Sequence, residues 1–275
     1  MSGQQKNEWA VVLGASSGFG EACAIGLSEL GFNIIGIHLD RLSTMPNVER
    51  IISAIKANGC DAIFFNHNAA DESKRKDILD DLEKRPDGKP SVKVLIHSLA
   101  FGTLKPFVKT GDNTPLTQAQ MEMTMDVMAH SLVYWTQDLF HRGFLVPKAR
   151  VFAMTSSGSR TSIPFYGAVS AAKAALESHV RQLSCELGTH DISVNAILAG
   201  VTDTPALRKI PGSIEMIEVA QRKNPHGRLT TPLDVAKVVK LLMQEGGEWI
   251  SGSVIHADGG EDSSQYVGQN FFKQV

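Results

Sequence analysis

Short runs that are apolar on both faces recur along the chain, at Trp9–Leu13, Asn33–His38, Asp61–Asn66, Val92–His97, Arg150–Thr155, Ser193–Leu198 and Ser253–Ala257. Continuous apolar runs of this length suit strands covered on both sides in a parallel sheet. Helical spacing fills the intervals, over Gly18–Leu30, Asn47–Asn58, Glu72–Lys84, Thr117–Gly143, Tyr166–Leu187 and Thr231–Glu245. The alternation predicts an α/β fold, a doubly wound seven-stranded parallel sheet with right-handed crossovers. One stretch, residues 204–228, breaks the rhythm after the sixth strand, where excursions usually carry substrate. No repeat or linker divides the chain, so one domain is expected over residues 1–262, with 263–275 as a C-terminal tail.

With 275 residues and 43% hydrophobic content, the chain can bury the core of one large domain. A formal charge of −2 argues against nucleic acid as the main partner, which would require a basic face. Met1 to Glu8 is polar and lacks the apolar core of a signal peptide, and no apolar run is long enough to span a membrane. Cys23, Cys60 and Cys185 are scattered, without metal-ligand spacing, so buried reduced thiols and no metal are expected. A soluble, cytoplasmic protein is the expectation. In the tail, Tyr266, Phe271 and Phe272 suggest docking on a neighbouring subunit.

The first strand runs directly into Gly14-Ala15-Ser16-Ser17-Gly18-Phe19-Gly20, which opens a helix. There Gly14 permits a tight turn, Gly18 lets backbone approach phosphate, and Gly20 lets helix pack on strand. Free N–H groups and the positive helix end would then hold a diphosphate, as in Rossmann-type dinucleotide sites. At the second strand's end, His38-Leu39-Asp40-Arg41 bears on which dinucleotide binds. Asp40 suits the ribose hydroxyls of NADH, whereas Arg41 with His38 suits the extra phosphate of NADPH. Both remain open, with the balance toward NADPH.

The spacing Gly-x-x-x-Gly-x-Gly resembles the short-chain dehydrogenase/reductase family. Further matches follow in chain order: Asn68-Ala69 is similar to an adenine-contact pair, and Asn195-Ala196 leads into Ala199-Gly200-Val201-Thr202-Asp203-Thr204, similar to the nicotinamide-holding segment. Gly252 and Asp258-Gly259-Gly260 resemble the family's closing strand. The resemblance implies a catalytic set of Ser156, Tyr166 and Lys173. A nicotinamide supplies only hydride, so a proton donor must stand near the developing oxyanion. A tyrosine beside an ammonium suits this, the charge being expected to lower the phenol's pKa.

In the common form of the family the tyrosine precedes the lysine by four residues, but that place is Val169. Tyr166 lies seven residues before Lys173, still on the same helical face but displaced by roughly 4–5 Å. A displaced donor suits reduction of an enoyl thioester, in which hydride goes to the β-carbon and the oxyanion forms farther off. This Tyr-x6-Lys spacing resembles the enoyl-acyl-carrier-protein reductases, specifically the subclass closest to ordinary short-chain reductases. His97-Ser98-Leu99-Ala100-Phe101-Gly102 is similar to their cofactor wall, and Asn224-Pro-His-Gly-Arg228 also matches that subclass. Two positions depart from family patterns. Ser156 stands where many enoyl reductases have a second tyrosine, and Met128 stands where the family has a proton-relaying asparagine.

The resemblance implies NADH or NADPH as cofactor, held by the glycine loop, His38, Asp40, Arg41, Asn68, Ala69, Ser98, Leu99, Ala100, Lys173, Gly200, Val201, Thr202 and Thr204. It also implies a homotetramer built on the Thr117–Gly143 and following helices, with Met121, Met123, Met125 and Met128 at an interface. Ile210, Ile214, Met216, Ile217 and Val219 fit either an acyl channel or core packing. Arg208, Lys209, Arg222 and Lys223 fit either a solvated face or a dock for acyl carrier protein. Carbonyl reduction and a non-catalytic dinucleotide-binding role remain alternatives.

Overall fold

The computed structural model describes residues 7–109 and 111–265. Tyr266, Phe271 and Phe272 lie outside them. Seven strands form one parallel sheet in the order β3-β2-β1-β4-β5-β6-β7. They are β1 (Glu8–Leu13), β2 (Asn33–His38), β3 (Ala62–Asn66), β4 (Ser91–His97), β5 (Leu145–Thr155), β6 (Ser193–Ala199) and β7 (Val254–Ala257). The helices are α1 (Gly18–Ser28), α2 (Met45–Ala57), α3 (Glu72–Glu83), α4 (Gln118–Met125), α5 (Ser131–His141), α6 (Gly167–Leu187), α7 (Ser213–Lys223) and α8 (Pro232–Leu242).

Each strand of the sheet centre is buried on both faces, and each face has its own core. On one side Cys23, Leu27, Ile51, Ile55, Val235 and Val239 of α1, α2 and α8 pack on Val12, Ile34 and Ile96. On the other, Ile78, Leu132, Trp135, Leu176 and Val180 of α3, α5 and α6 pack on Val11, Leu95 and Val151. The expected doubly wound fold is therefore present. Its strand order reverses between β1 and β4, so the crevice for a ligand opens at their carboxyl ends.

Three local expectations change. The segment 117–143 is helical without a break over residues 118–141, but not regular: a π turn at Asp126–His130 separates α4 from α5. Ser131 Oγ bonds back to Val127 O at 2.8 Å there, and such back-bonding widens or bends a helix. Met128 within this turn is buried, while Met121, Met123 and Met125 line a surface depression with His130. The 204–228 excursion contains a helix, α7, whose Ile214 and Val219 are exposed and so belong to no core. Finally, Cys185 is exposed, whereas Cys23 and Cys60 are buried as expected. Among the described residues no helix is long and apolar enough to cross a membrane, and none of their His, Cys, Asp and Glu side chains cluster as a metal site.

Candidate active site

The glycine loop turns under the end of β2, where Gly14 N and Ala15 N donate to Ile37 O at 2.8 and 3.1 Å. Gly14 has φ +86°, and a Cβ there would sit 2.4 Å from Ser98 O. A Cβ on Gly20 would sit 2.0 Å from Gly14 O, so α1 can meet the strand only at glycine. Gly18 is left-handed, with φ +56°, and faces Thr204 across the cleft. Ser17 N-caps α1 with no side-chain hydrogen bond, leaving the helix's first N–H groups free for an anion. Phe19 lines the cleft beside this helix end. These residues fit a dinucleotide diphosphate.

At the end of β2 the two candidate residues His38 and Asp40 meet each other. His38 is buried and its Nδ1 lies 2.9 Å from Asp40 Oδ2, so it is not free to meet a ribose or phosphate. Asp40 is the partly buried carboxylate at this strand end. Its backbone is clasped by Asn66, through Asp40 N to Asn66 Oδ1 at 2.9 Å and Asn66 Nδ2 to Asp40 O at 3.0 Å. Partial burial opposes its charge, but hydrogen bonds with Ser16, Thr44 and His38 outweigh it and hold the carboxyl below its usual range. Arg41 is exposed. Asn68 and Ala69 form the turn after β3, with Ala69 O accepting from Trp135 Nε1 at 2.7 Å, and do not line the cleft.

A cleft of about 280 Å³ runs from Phe19 over the ends of β4, β5 and β6. It brings together Ser98, Leu99, Ala100, Ser156, Tyr166, Lys173, Gly200, Val201, Thr202 and Thr204, all anticipated from sequence. Lys173 projects from α6 and its Nζ donates to Met154 O at 2.7 Å. Burial pulls its ammonium down to about 8, against the nearby charge of Glu177. Glu177 is itself buried, accepting from Thr155 Oγ1 at 2.7 Å. Sequence reading missed this carboxylate, although it stands one turn after Lys173 on an apolar helical face.

Tyr166 is the N-cap of α6 and not a helical residue, reached through Phe165 in the left-handed region at φ +65°. Its hydroxyl faces Ser156, whose side chain favours the ionised phenol. The expected lowering of the phenol's pKa is absent: burial pushes it up, only partly offset by Ser156. The tyrosine is thus a protonated donor throughout the neutral range. Ser156 directly follows β5 and accepts from Gly158 N at 3.2 Å. Gly158 was not singled out in the sequence, yet a Cβ there would lie 2.6 Å from Tyr166 Cε1. Val169, where the common tyrosine would stand, is buried and forms cleft wall with Met128.

His97 lies under the site. Its Nε2 meets Ser131 Oγ at 2.8 Å, and its Nδ1 has no partner. Burial, with Lys173 nearby, drives it down to about 3, so it is neutral. Ile210 and Met216 of the excursion reach the cleft together with Lys209. Arg208 instead pairs with Asp203 at 2.8 and 2.9 Å. The closing signature is structural: Asn195 Nδ2 donates to Ile250 O at 2.6 Å, and Asp258 Oδ1 accepts from Gly260 N at 3.0 Å.

A parallel sheet with an uncapped glycine loop at its switch point, and a serine, tyrosine and lysine converging beside it, defines a dinucleotide-dependent oxidoreductase. A family model described as "Enoyl-(Acyl carrier protein) reductase" matches residues 14–261. The chain belongs to this family, within the short-chain dehydrogenases/reductases, which use NAD or NADP. It is similar to the "NADPH-dependent aldehyde reductase-like protein, chloroplastic" of Arabidopsis thaliana, with 30% identity over 91% of this chain and 93% of that protein. The fold is shared with the enoyl-[acyl-carrier-protein] reductase (NADH) of Aquifex aeolicus, at TM-score 0.81, 21% identity and coverage of 96% and 100%. It is shared equally with an angucycline C-6 ketoreductase with bound NADP, at TM-score 0.80, 22% identity and coverage of 95% and 98%.

Proposed function

We propose that the chain reduces the double bond of a trans-2-enoyl thioester, carried on acyl carrier protein or coenzyme A, as a step of fatty-acid synthesis. The placement of Tyr166 carries this reading: a protonated phenol at the α6 N-cap, two turns from Lys173, with Val169 where a carbonyl reductase of this family has its tyrosine. A bound dinucleotide would supply hydride, here to the β-carbon. Negative charge then gathers on the thioester oxygen, where the Tyr166 hydroxyl donates a hydrogen bond and then its proton. The resulting enol tautomerises to place a proton on the α-carbon. Ser156 orients the phenol, and the Lys173 ammonium, fixed on Met154 O, supplies positive charge beneath it. Leu99, Leu104, Val169, Ile210 and Met216 give the acyl chain an apolar wall.

For the dinucleotide we favour NADH, against the sequence-based balance. An ionised Asp40 beside the glycine loop would repel a ribose phosphate, and His38 is occupied with that same carboxylate. The α4–α5 surface with Met121, Met123 and Met125 is the proposed subunit interface of a homotetramer.

Carbonyl reduction is the second reading. The Ser156–Tyr166 hydroxyl pair favours it, as does similarity to an aldehyde reductase-like protein. Oxidation of NADH and NADPH with crotonyl-CoA, against a panel of aldehydes, ketones and ketoacyl thioesters, separates the two. Enoyl turnover well above carbonyl turnover is expected, and the reverse ranking overturns the enoyl assignment.

A further inference from the structure

Glu261 and Asp262 follow the closing Gly259-Gly260 pair and reach opposite walls of the cleft. The Glu261 carboxylate is buried, and both its oxygens accept from Val201 N, at 3.1 and 3.2 Å. It lies flush against this backbone, since a Cβ on Gly200 would stand 2.7 Å from Glu261 Oε2 and 2.5 Å from Thr230 Oγ1. Alongside, Asn224 Nδ2 donates to Asp258 O at 2.9 Å. The carboxylate thereby anchors the strand-end segment that carries Thr202 and Thr204 into the cleft. The next residue turns the other way. Asp262 N donates to Asp258 Oδ2 at 2.8 Å, and its carboxylate pairs with the Arg160 guanidinium at 2.5 Å. Arg160 belongs to the loop between Ser156 and Tyr166.

We infer that Glu261 and Asp262 are a positioning pair that sets the spacing of the two cleft walls. Glu261 acts through Val201 on the segment holding the nicotinamide end of the dinucleotide. Asp262 acts through Arg160 on the loop presenting Ser156 and Tyr166. The inference rests on the dinucleotide-dependent reading of the cleft and not on which substrate is reduced.

The test uses the intact chain, with NADH and NADPH affinity followed by fluorescence and cleavage after Arg160 followed by limited trypsin digestion. Glu261→Leu leaves a buried N–H without its acceptor and should weaken dinucleotide binding about tenfold. Glu261→Gln retains an acceptor oxygen and should restore binding to within about threefold of wild type. Asp262→Asn should leave binding unchanged and speed cleavage after Arg160. In turnover, with whichever thioester or carbonyl the chain accepts, Asp262→Asn and Arg160→Gln should each lower kcat more than they raise KM, and the double variant should be no worse than either single one. Wild-type affinity in Glu261→Leu, no rescue by Glu261→Gln, unchanged trypsin cleavage in Asp262→Asn, or additive losses of kcat would overturn the inference. Failure to turn over any enoyl or carbonyl compound would count against the proposed function, while the binding and digestion readouts would still decide the pairing.

Discussion

Gly158 offers a test of the tyrosine that does not touch its chemistry. A Cβ built at this position lies 2.6 Å from Tyr166 Cε1, 3.1 Å from Cδ1 and 3.5 Å from Ser156 Oγ. Carbon atoms in contact prefer about 3.5–4.0 Å, so in Gly158→Ala the ring must retreat by about 1 Å. The backbone itself tolerates alanine, because Gly158 is not among the left-handed glycines, and the change removes freedom from the unfolded chain worth about 0.4–1 kcal/mol. Stability should therefore stay near wild type while the phenol is displaced. A misplacement of about 1 Å at a reacting group costs on the order of a hundredfold in rate. The expected result is a kcat lowered about a hundredfold, dinucleotide binding within about threefold of wild type, and a Tm within a few degrees. Circular dichroism melting, NADH fluorescence titration and steady-state kinetics on the same preparation give all three. A Gly158→Ala protein with wild-type kcat would refute the idea that the Tyr166 ring must stand where Gly158 places it.

The pH profile of kcat/KM should fall as pH rises through about 8, where Lys173 loses its proton, while Tyr166, raised by burial, stays protonated; a profile flat to pH 10 would contradict an ammonium role. His97 titrates at about 3 in the folded chain against 6.5 when free, so the unfolded state binds the extra proton between these values. Stability should therefore decline as pH drops below about 6.5, by a total of several kcal/mol, and denaturant melts of His97→Asn should show a shallower decline; equal slopes would remove His97 as the cause. Asp40→Asn should shift the NADPH/NADH ratio of kcat/KM upward by about tenfold or more, since a carboxylate beside a phosphate is replaced by a neutral donor. An unchanged ratio would place cofactor selection elsewhere.

Much of the site was legible in the chain because each group was announced by local pattern. The glycine spacing, the Tyr166–Lys173 interval and the Val201-Thr202-Asp203-Thr204 segment each sit where strand, turn and helix signals converge, and all reach the one cleft. What escaped depends on long-range packing. The occupation of His38 by Asp40 arises from a bent turn that Asn66 of a neighbouring strand holds, and counting residues along one strand does not show it. Met128 sits in a π turn that regular helical periodicity does not reveal. Gly158, Glu177 and Glu261 earn their roles from partners on other elements, and a lone glycine or glutamate in sequence looks like any other. The phenol's raised pKa likewise reflects burial, which outweighs the positive charge that proximity in sequence suggested.

The central claim is that hydride goes to the β-carbon of an enoyl thioester. Incubation of crotonyl-CoA with C4-deuterated NADH or NADPH, followed by NMR of the product, reads this directly. The enoyl assignment predicts butyryl-CoA bearing deuterium at C3 and an intact thioester carbonyl, with formation nearly abolished in Tyr166→Phe. Absence of labelled butyryl-CoA, in a preparation that deposits deuterium on the carbinol carbon of a ketone or aldehyde, would contradict it.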